Sequence, residues 1–200
     1  MTIMIEIERP ARPAGLAPAK LRILETADLL FYDEGIRAVG VDRLISSSSV
    51  TKATFYKHYG SKDRLIGDYV DHRHRSAAEE LADLVETHVE PEAVLRALQE
   101  SIASQISSSE FRGCPFINAA AEFSDPMHPV RRSVVAHREW FVGVLEQLLR
   151  VMGHPLAGDA ADDLVLARDG AMTGGYAGDP IAASTALARA FDRVISGARL

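Results

Sequence analysis

The sequence predicts an all-α protein of about nine helices, and three observations lead there. Apolar residues recur at the spacing of amphipathic helices along nearly the whole chain. No stretch alternates apolar and polar residues as a half-buried strand does. The breaks between periodic stretches hold proline, mostly beside glycine or an acid: Glu90-Pro91, Gly113-Cys114-Pro115, Asp125-Pro126, Gly153-His154-Pro155 and Gly178-Asp179-Pro180.

The totals narrow the class. The 200 residues, 47 % apolar and 25 % charged, suit one or two globular domains. No apolar run reaches the roughly 18 residues that a membrane span needs. The first residues carry acids at Glu6 and Glu8 without the apolar stretch of a secretory signal. We therefore expect a cytoplasmic protein with no membrane partner. The single cysteine, Cys114, excludes an internal disulfide and a cysteine-based zinc site. The net charge of −6 argues against a protein that coats nucleic acid without specificity. Its distribution is uneven, with 12 Lys/Arg against 10 Asp/Glu in residues 1–75 and 10 against 18 in residues 76–200. A mildly basic head on an acidic body fits a small nucleic-acid reader on a larger carrier.

Residues 1–17 contain Pro10, Pro13 and Gly15, show no apolar period, and are expected to be a disordered arm. From Pro18, Ile23, Leu24, Ala27, Leu30 and Phe31 fall on one helical face, and Gly35 ends that helix. A short helix over about 41–47 turns Val41, Leu44 and Ile45 inward. A third runs over about 52–59, with Thr51 placed to cap it and Val50 and Phe55 at hydrophobic-staple spacing. Gly60 breaks it, and Ser61 caps a fourth helix with Asp63 in its first turn. Further helices are expected over 61–90, 91–107, 115–123, 128–152, 160–176 and 180–196.

Three short helices with a tight turn before the third make a helix-turn-helix pattern over residues 18–65. The run Ser46–Ser49 is then the end of the second helix and the turn, not a linker. In the third helix Phe55 and Tyr59 face the core, which leaves Lys52, Tyr56 and Lys57 outside with Thr51 and His58. Lysines suit phosphates, hydroxyls suit phosphates or base edges, and the small Ala53 allows close approach to a base. An ordinary solvated lysine face has the same composition, so this pattern alone leaves both open.

The stretch "ILETADLLFYDEGIRAVGVDRLISSSSVTKATFYKHYGSKDRLI" resembles the DNA-binding domain of the TetR/AcrR family of transcriptional regulators. The likeness covers about residues 20–70, and "VTKATFYKHYGSKDRLI" is its most specific part. It implies an all-helical homodimer that binds double-stranded DNA at a palindromic operator and a small-molecule effector in its C-terminal domain, residues 66–200. Residue by residue, it implies groove contacts from Thr51, Lys52, Ala53 and Thr54. It implies groove or phosphate contacts from Tyr56 and His58, and a phosphate contact from Lys62 at the start of the fourth helix. Val41 and Asp42 match the start of the helix that crosses the DNA backbone, and Lys57 joins the set by its exposure. Two departures stand out. Ser48-Ser49 replaces the family's Ala-Gly, and Ala53 stands where glycine is usual. A serine that keeps the left-handed backbone of that glycine costs roughly 1 kcal/mol.

The body gives fewer signals. "RGCPFINAAAEFSDPMHPVRRSVVAHREWF" resembles the C-terminal domain of one TetR/AcrR subgroup. The family's pocket opens among its fourth to eighth helices, which points to Cys114, Phe116, Asn118, His137, Trp140 and Phe141 as effector-facing. Core packing is the commoner role of such apolar residues. Ser184, Leu187, Ala188, Phe191, Val194 and Ile195 line one face of the last helix. Gly170, Ala171, Gly174 and Gly175 give the helix before it a small-residue surface. Both are expected at a homodimer interface built from the last two helices, or else they cover their own domain. His72 and His74 are two apart and share no helical face, and no nucleophile, phosphate-loop or dinucleotide motif occurs. No metal, cofactor or enzymatic activity is expected. The functional expectation is a ligand-released repressor. The alternative is a helical small-molecule-binding protein whose DNA-reading head is impaired by the Ser46–Ser49 turn.

Overall fold

The computed structural model describes Ile7 and residues 15–198. Most of the arm expected over residues 1–17 therefore lies outside the described residues. The described residues form nine α-helices and no strand. These are α1 (Pro18–Glu34), α2 (Val41–Ser47), α3 (Lys52–His58), α4 (Lys62–Thr87), α5 (Pro91–Ser107), α6 (Pro115–Ala121), α7 (Pro129–Val151), α8 (Ala157–Ala177) and α9 (Pro180–Gly197). The described part divides into two compact units. A head unit holds residues 15–76 and 115–136, and a body unit holds 77–114 and 137–198.

Prolines open helices where an N–H would go unpaired anyway: Pro18, Pro91 and Pro180 each sit in a first turn. Before Pro180 the Asp179 carboxylate accepts from the N–H groups of Ile181 and Ala182, at 3.0 and 2.9 Å. The start of α8 lies three residues before the expected Ala160, with Leu156 ahead of it and no side-chain cap to mark it in the sequence.

The head core forms where α1, α2 and α3 meet the first turns of α4. Ile23, Leu24, Ala27, Phe31, Leu44, Phe55, Tyr59, Leu65, Ile66 and Tyr69 are all buried. Each large apolar side chain among them contributes roughly 1.5–3 kcal/mol. A polar tie supplements the packing between α1 and α4. Arg73 Nε lies 2.6 Å from Asp28 Oδ1, and the guanidinium sits 4.6 Å from the Tyr32 ring and 5.7 Å from that of Tyr69. Phe31 meets Tyr69 edge to face at 5.4 Å.

The α2–α3 turn explains the serine run. Ser48 is buried, and its hydroxyl is satisfied by donating to the Leu44 carbonyl at 2.6 Å. Ser49 takes φ of +53°, the left-handed conformation usually left to glycine. Its N–H donates to the Ser46 carbonyl, and that of Val50 to the Ile45 carbonyl, each at 3.3 Å. These two bonds form a complete Schellman motif, with Ser49 in the glycine position.

In the body unit α8 packs against α9, and α5 against both. A Cβ on Gly175 would stand 2.4 Å from Ile106 Cγ2, so glycine permits the close approach of α8 to α5. Arg96 joins α5 to α9 by an ion pair with Asp192 at 2.9 Å. One expectation is corrected here. The α9 face assigned to a second copy turns inward, with Leu187, Phe191 and Ile195 at most 2 % exposed. Apolar periodicity reports that a face is covered, not which chain covers it. The exposed residues of α9 are Ile181, Ala182, Thr185, Ala186, Arg189, Asp192, Arg193 and Ser196.

Two outcomes follow from the head. Ser49→Gly relieves the left-handed strain and raises unfolding stability by about 1 kcal/mol, read as a higher urea midpoint at unchanged slope. Burial pushes the Tyr69 hydroxyl up to about 12, against the pull of the Arg73 guanidinium. The folded chain therefore holds this proton more tightly than the unfolded chain, whose value is 10.0. That stability is full below pH 10 and is lost as pH rises toward 12. Urea unfolding on either side of pH 10 will show a shallower alkaline loss for Tyr69→Phe than for the wild type.

Candidate nucleic-acid interface

The head presents its polar residues from α3 and from the starts of α2 and α4. Thr51 caps α3, its Oγ1 accepting from the Thr54 N–H at 3.1 Å and sharing a 2.8 Å hydrogen bond with Thr54 Oγ1. The cap leaves both threonines at the helix N-terminus, facing outward or nearly so. Lys52, Ala53, Tyr56 and Lys57 are exposed, and Thr54 and His58 half-exposed. Phe55 is fully buried and meets the Tyr56 ring edge to face at 5.5 Å, which holds the Tyr56 ring against α3 with its surface partly in water.

Tyr59 anchors the other end of α3. It is buried and donates its hydroxyl to the Lys20 carbonyl at 3.1 Å. Burial raises its pKa well above the usual phenol range, helped by the Asp68 carboxylate. Lys20 spans the same spot, 2.9 Å from Asp68 and 5.1 Å from the Tyr59 ring. α3 is thus fixed at one end by its cap and at the other by α1 and α4, while its outer face stays free of core contacts.

Val41 and Asp42 lie in the first turn of α2. Asp42 stands 3.9 Å from Lys52 Nζ, a solvent-exposed pairing that brings the α2 start beside the α3 start. Lys62 opens α4, half-buried, with its ammonium 5.8 Å from the Phe31 ring. Burial lowers its pKa, opposed by the Glu122 and Asp63 carboxylates. The structure therefore gathers all ten residues expected at DNA into one unit, on α2, α3, the turn before α3 and the start of α4.

The effector residues expected from the sequence are divided. Phe116 and Asn118 belong to the head unit on α6, the first buried and the second exposed. Cys114, His137, Trp140 and Phe141 belong to the body unit. There the half-buried Arg168 of α8 meets α7 and the loop that carries Cys114. Its guanidinium lies 3.6 Å from Cys114 Sγ, 5.3 Å from the Phe141 ring and 2.8 Å from Asp169, which also pairs with Arg138. His137 is buried, 5.5 Å from the Trp140 ring and stacked on Phe141 at 6.4 Å. This packing suits a core role for His137 and Phe141.

Besides the Arg73–Asp28 tie, sequence reasoning missed a second non-local contact in the head. Glu122, just after α6, accepts from the N–H groups of Ile36 and Arg37 at 2.7 and 2.6 Å. These partners lie 86 and 85 residues apart in the chain, and no local signal announces the pairing.

Comparison with known proteins agrees with this geometry. Residues 23–69 match the family model of bacterial regulatory proteins of the tetR family. The HTH-type transcriptional regulator LmrA of Bacillus subtilis is 30 % identical over 135 residues, covering 66 % of this chain and 71 % of LmrA. An HTH-type transcriptional repressor of Mycobacterium tuberculosis is 31 % identical over 72 residues, 36 % of this chain and 38 % of that protein. The crystal structure of a TetR-family transcriptional regulator from Streptomyces coelicolor superposes with a TM-score of 0.85 at 39 % identity, over 89 % of this chain and 94 % of that one. The chain therefore belongs to the TetR family of bacterial transcriptional regulators, with a DNA-binding helix-turn-helix at its N-terminal end.

Proposed function

We propose that the chain is a homodimeric, cytoplasmic repressor that a small effector releases from a palindromic operator. The observation that carries the DNA side is α3. Its inner residues are locked by Phe55 and Tyr59, and its outer face offers Thr51, Lys52, Ala53, Tyr56 and Lys57 unobstructed. Such a helix lies in the major groove with its N-terminal residues at the base edges, while lysines and hydroxyls hold phosphates. His58, Val41, Asp42 and Lys62 flank it on the same unit, where backbone contacts belong. Repression is the role named for the mycobacterial relative.

The dimer is supported by the outer surfaces of α8 and α9. Between them runs an apolar groove of about 480 Å³, lined mainly by small residues including Gly170, Gly174, Ala182 and Ala186. Leu166 and Ile181 are 63 % and 79 % exposed on the same two helices. Small residues let helices approach closely, and a two-fold pairing of these faces makes a four-helix bundle. The effector is assigned no chemistry. A ligand releases DNA only by its differential affinity for the two forms of the protein, typically about 1–3 kcal/mol.

A second reading, a small-molecule binder with an impaired head, draws on Ser49 alone, the one non-glycine residue at positive φ among those described. The two readings separate on Ser49→Gly. An impaired head gains sequence-specific binding from it, whereas a sound head gains little.

Two outcomes are expected. Selection from random duplex DNA will enrich a palindrome whose half-sites lie about 34 Å apart, one helical turn. No enrichment by a folded dimer counts against the repressor. Lys62→Ala will weaken binding to specific and non-specific duplexes alike. It will also reduce the slope of log affinity against log salt by about 1, the signature of one lost phosphate contact.

A further inference from the structure

Glu122 sits in a place where an acid is not expected. A Cβ built on Gly35, which caps the C-terminus of α1 at φ +92°, would lie 3.4 Å from Glu122 Oε1. The C-terminal end of a helix carries negative partial charge, which disfavours a carboxylate there. Two features offset this, and a third contact ties down the residue that follows. The two carboxylate oxygens each take a backbone N–H, from Ile36 and Arg37 in turn. The carboxylate also opposes the burial that lowers the Lys62 pKa. The Arg37 guanidinium lies 5.6 Å from the ring of Phe123, the next residue, whose ring stacks on His128 at 4.1 Å. Arg131 donates to the Phe123 carbonyl at 3.1 Å and closes the segment.

The contact lands on the α1–α2 turn. Ile36 and Val39 in that turn are buried, and Gly40 immediately precedes α2. Fixing two successive N–H groups of this turn fixes where α2 begins. From α2 the Schellman turn leads directly into α3, so a change at the origin of α2 is carried to the reading face.

We infer that Glu122 is a positioning residue for DNA reading: its carboxylate holds the α1–α2 turn through the N–H groups of Ile36 and Arg37, and so aims α2 and α3. It touches no base. The inference rests on the DNA-binding role of the head. A shift of α6 would move this carboxylate, since Glu122 follows the helix directly.

The test uses the full chain, the selected operator and a scrambled duplex of the same length and composition. Glu122→Gln loses the charge and one acceptor. Glu122→Asp keeps the charge but has too short an arm to reach both N–H groups. Positioning predicts that both variants lose about tenfold in operator affinity, the order expected for one charge-assisted hydrogen bond. Scrambled-duplex affinity stays unchanged, the thermal transition falls only by the few degrees that one lost hydrogen bond costs, and the Ile36 and Arg37 amides exchange faster with deuterium. Unchanged operator affinity in either variant overturns the inference. So does parallel loss on both duplexes with a lowered melting point, which marks a merely structural residue. Each variant is read by itself, so misfolding of one leaves the other to decide. A wild-type chain that fails to distinguish the two duplexes removes the DNA-reading basis first, and the inference with it.

Discussion

The reading surface depends on one constraint, the left-handed backbone at Ser49. That dihedral lets the Ser49 and Val50 N–H groups return to the end of α2 while the chain reverses into α3. With it, Thr51 reaches its capping position and Phe55 enters the core. Without it, the outer face of α3 would point elsewhere. Two serines stand in this turn, and each has a local remedy. Ser48 buries its hydroxyl on the Leu44 carbonyl. Ser49 carries a strain of roughly 1 kcal/mol, small beside the apolar burial of the head.

Much of this was visible in the sequence, for identifiable reasons. Pro91, Pro115 and Pro180 open α5, α6 and α9, because a first helical turn is where proline costs no hydrogen bond. The cap at Thr51 and the inward pair Phe55 and Tyr59 follow from spacing within eight or nine residues. What stayed hidden is non-local. The Arg73–Asp28 tie spans 45 residues and the Glu122 contact 86, and neither acid sits in a pattern that names its partner. The inward face of α9 shows a different limit. Leu187, Phe191 and Ile195 have the spacing of a covered stripe, and a core and a subunit interface cover it equally well.

The candidate site divides along the same line. The residues expected at DNA are near neighbours in the chain and come together on local geometry alone. The residues expected at an effector depend on how distant helices meet. Phe116 and Asn118 lie in one compact unit, whereas Cys114, His137, Trp140 and Phe141 lie in the other, around an arginine at position 168 that sequence reasoning did not single out. Arg168 sits against a thiol, an aromatic ring and a carboxylate, and such convergence is not encoded in the spacing of any one helix.

The central claim is that the outer face of α3 enters the major groove. Guanine N7 lies in that groove, whereas adenine N3 lies in the minor groove. Methylation protection on the selected operator therefore tests the claim directly. The account predicts that the protein shields guanine N7 in two patches one helical turn apart and leaves adenine N3 open between them. Protection confined to adenine N3, or none at either groove on a duplex that the protein binds specifically, would contradict it.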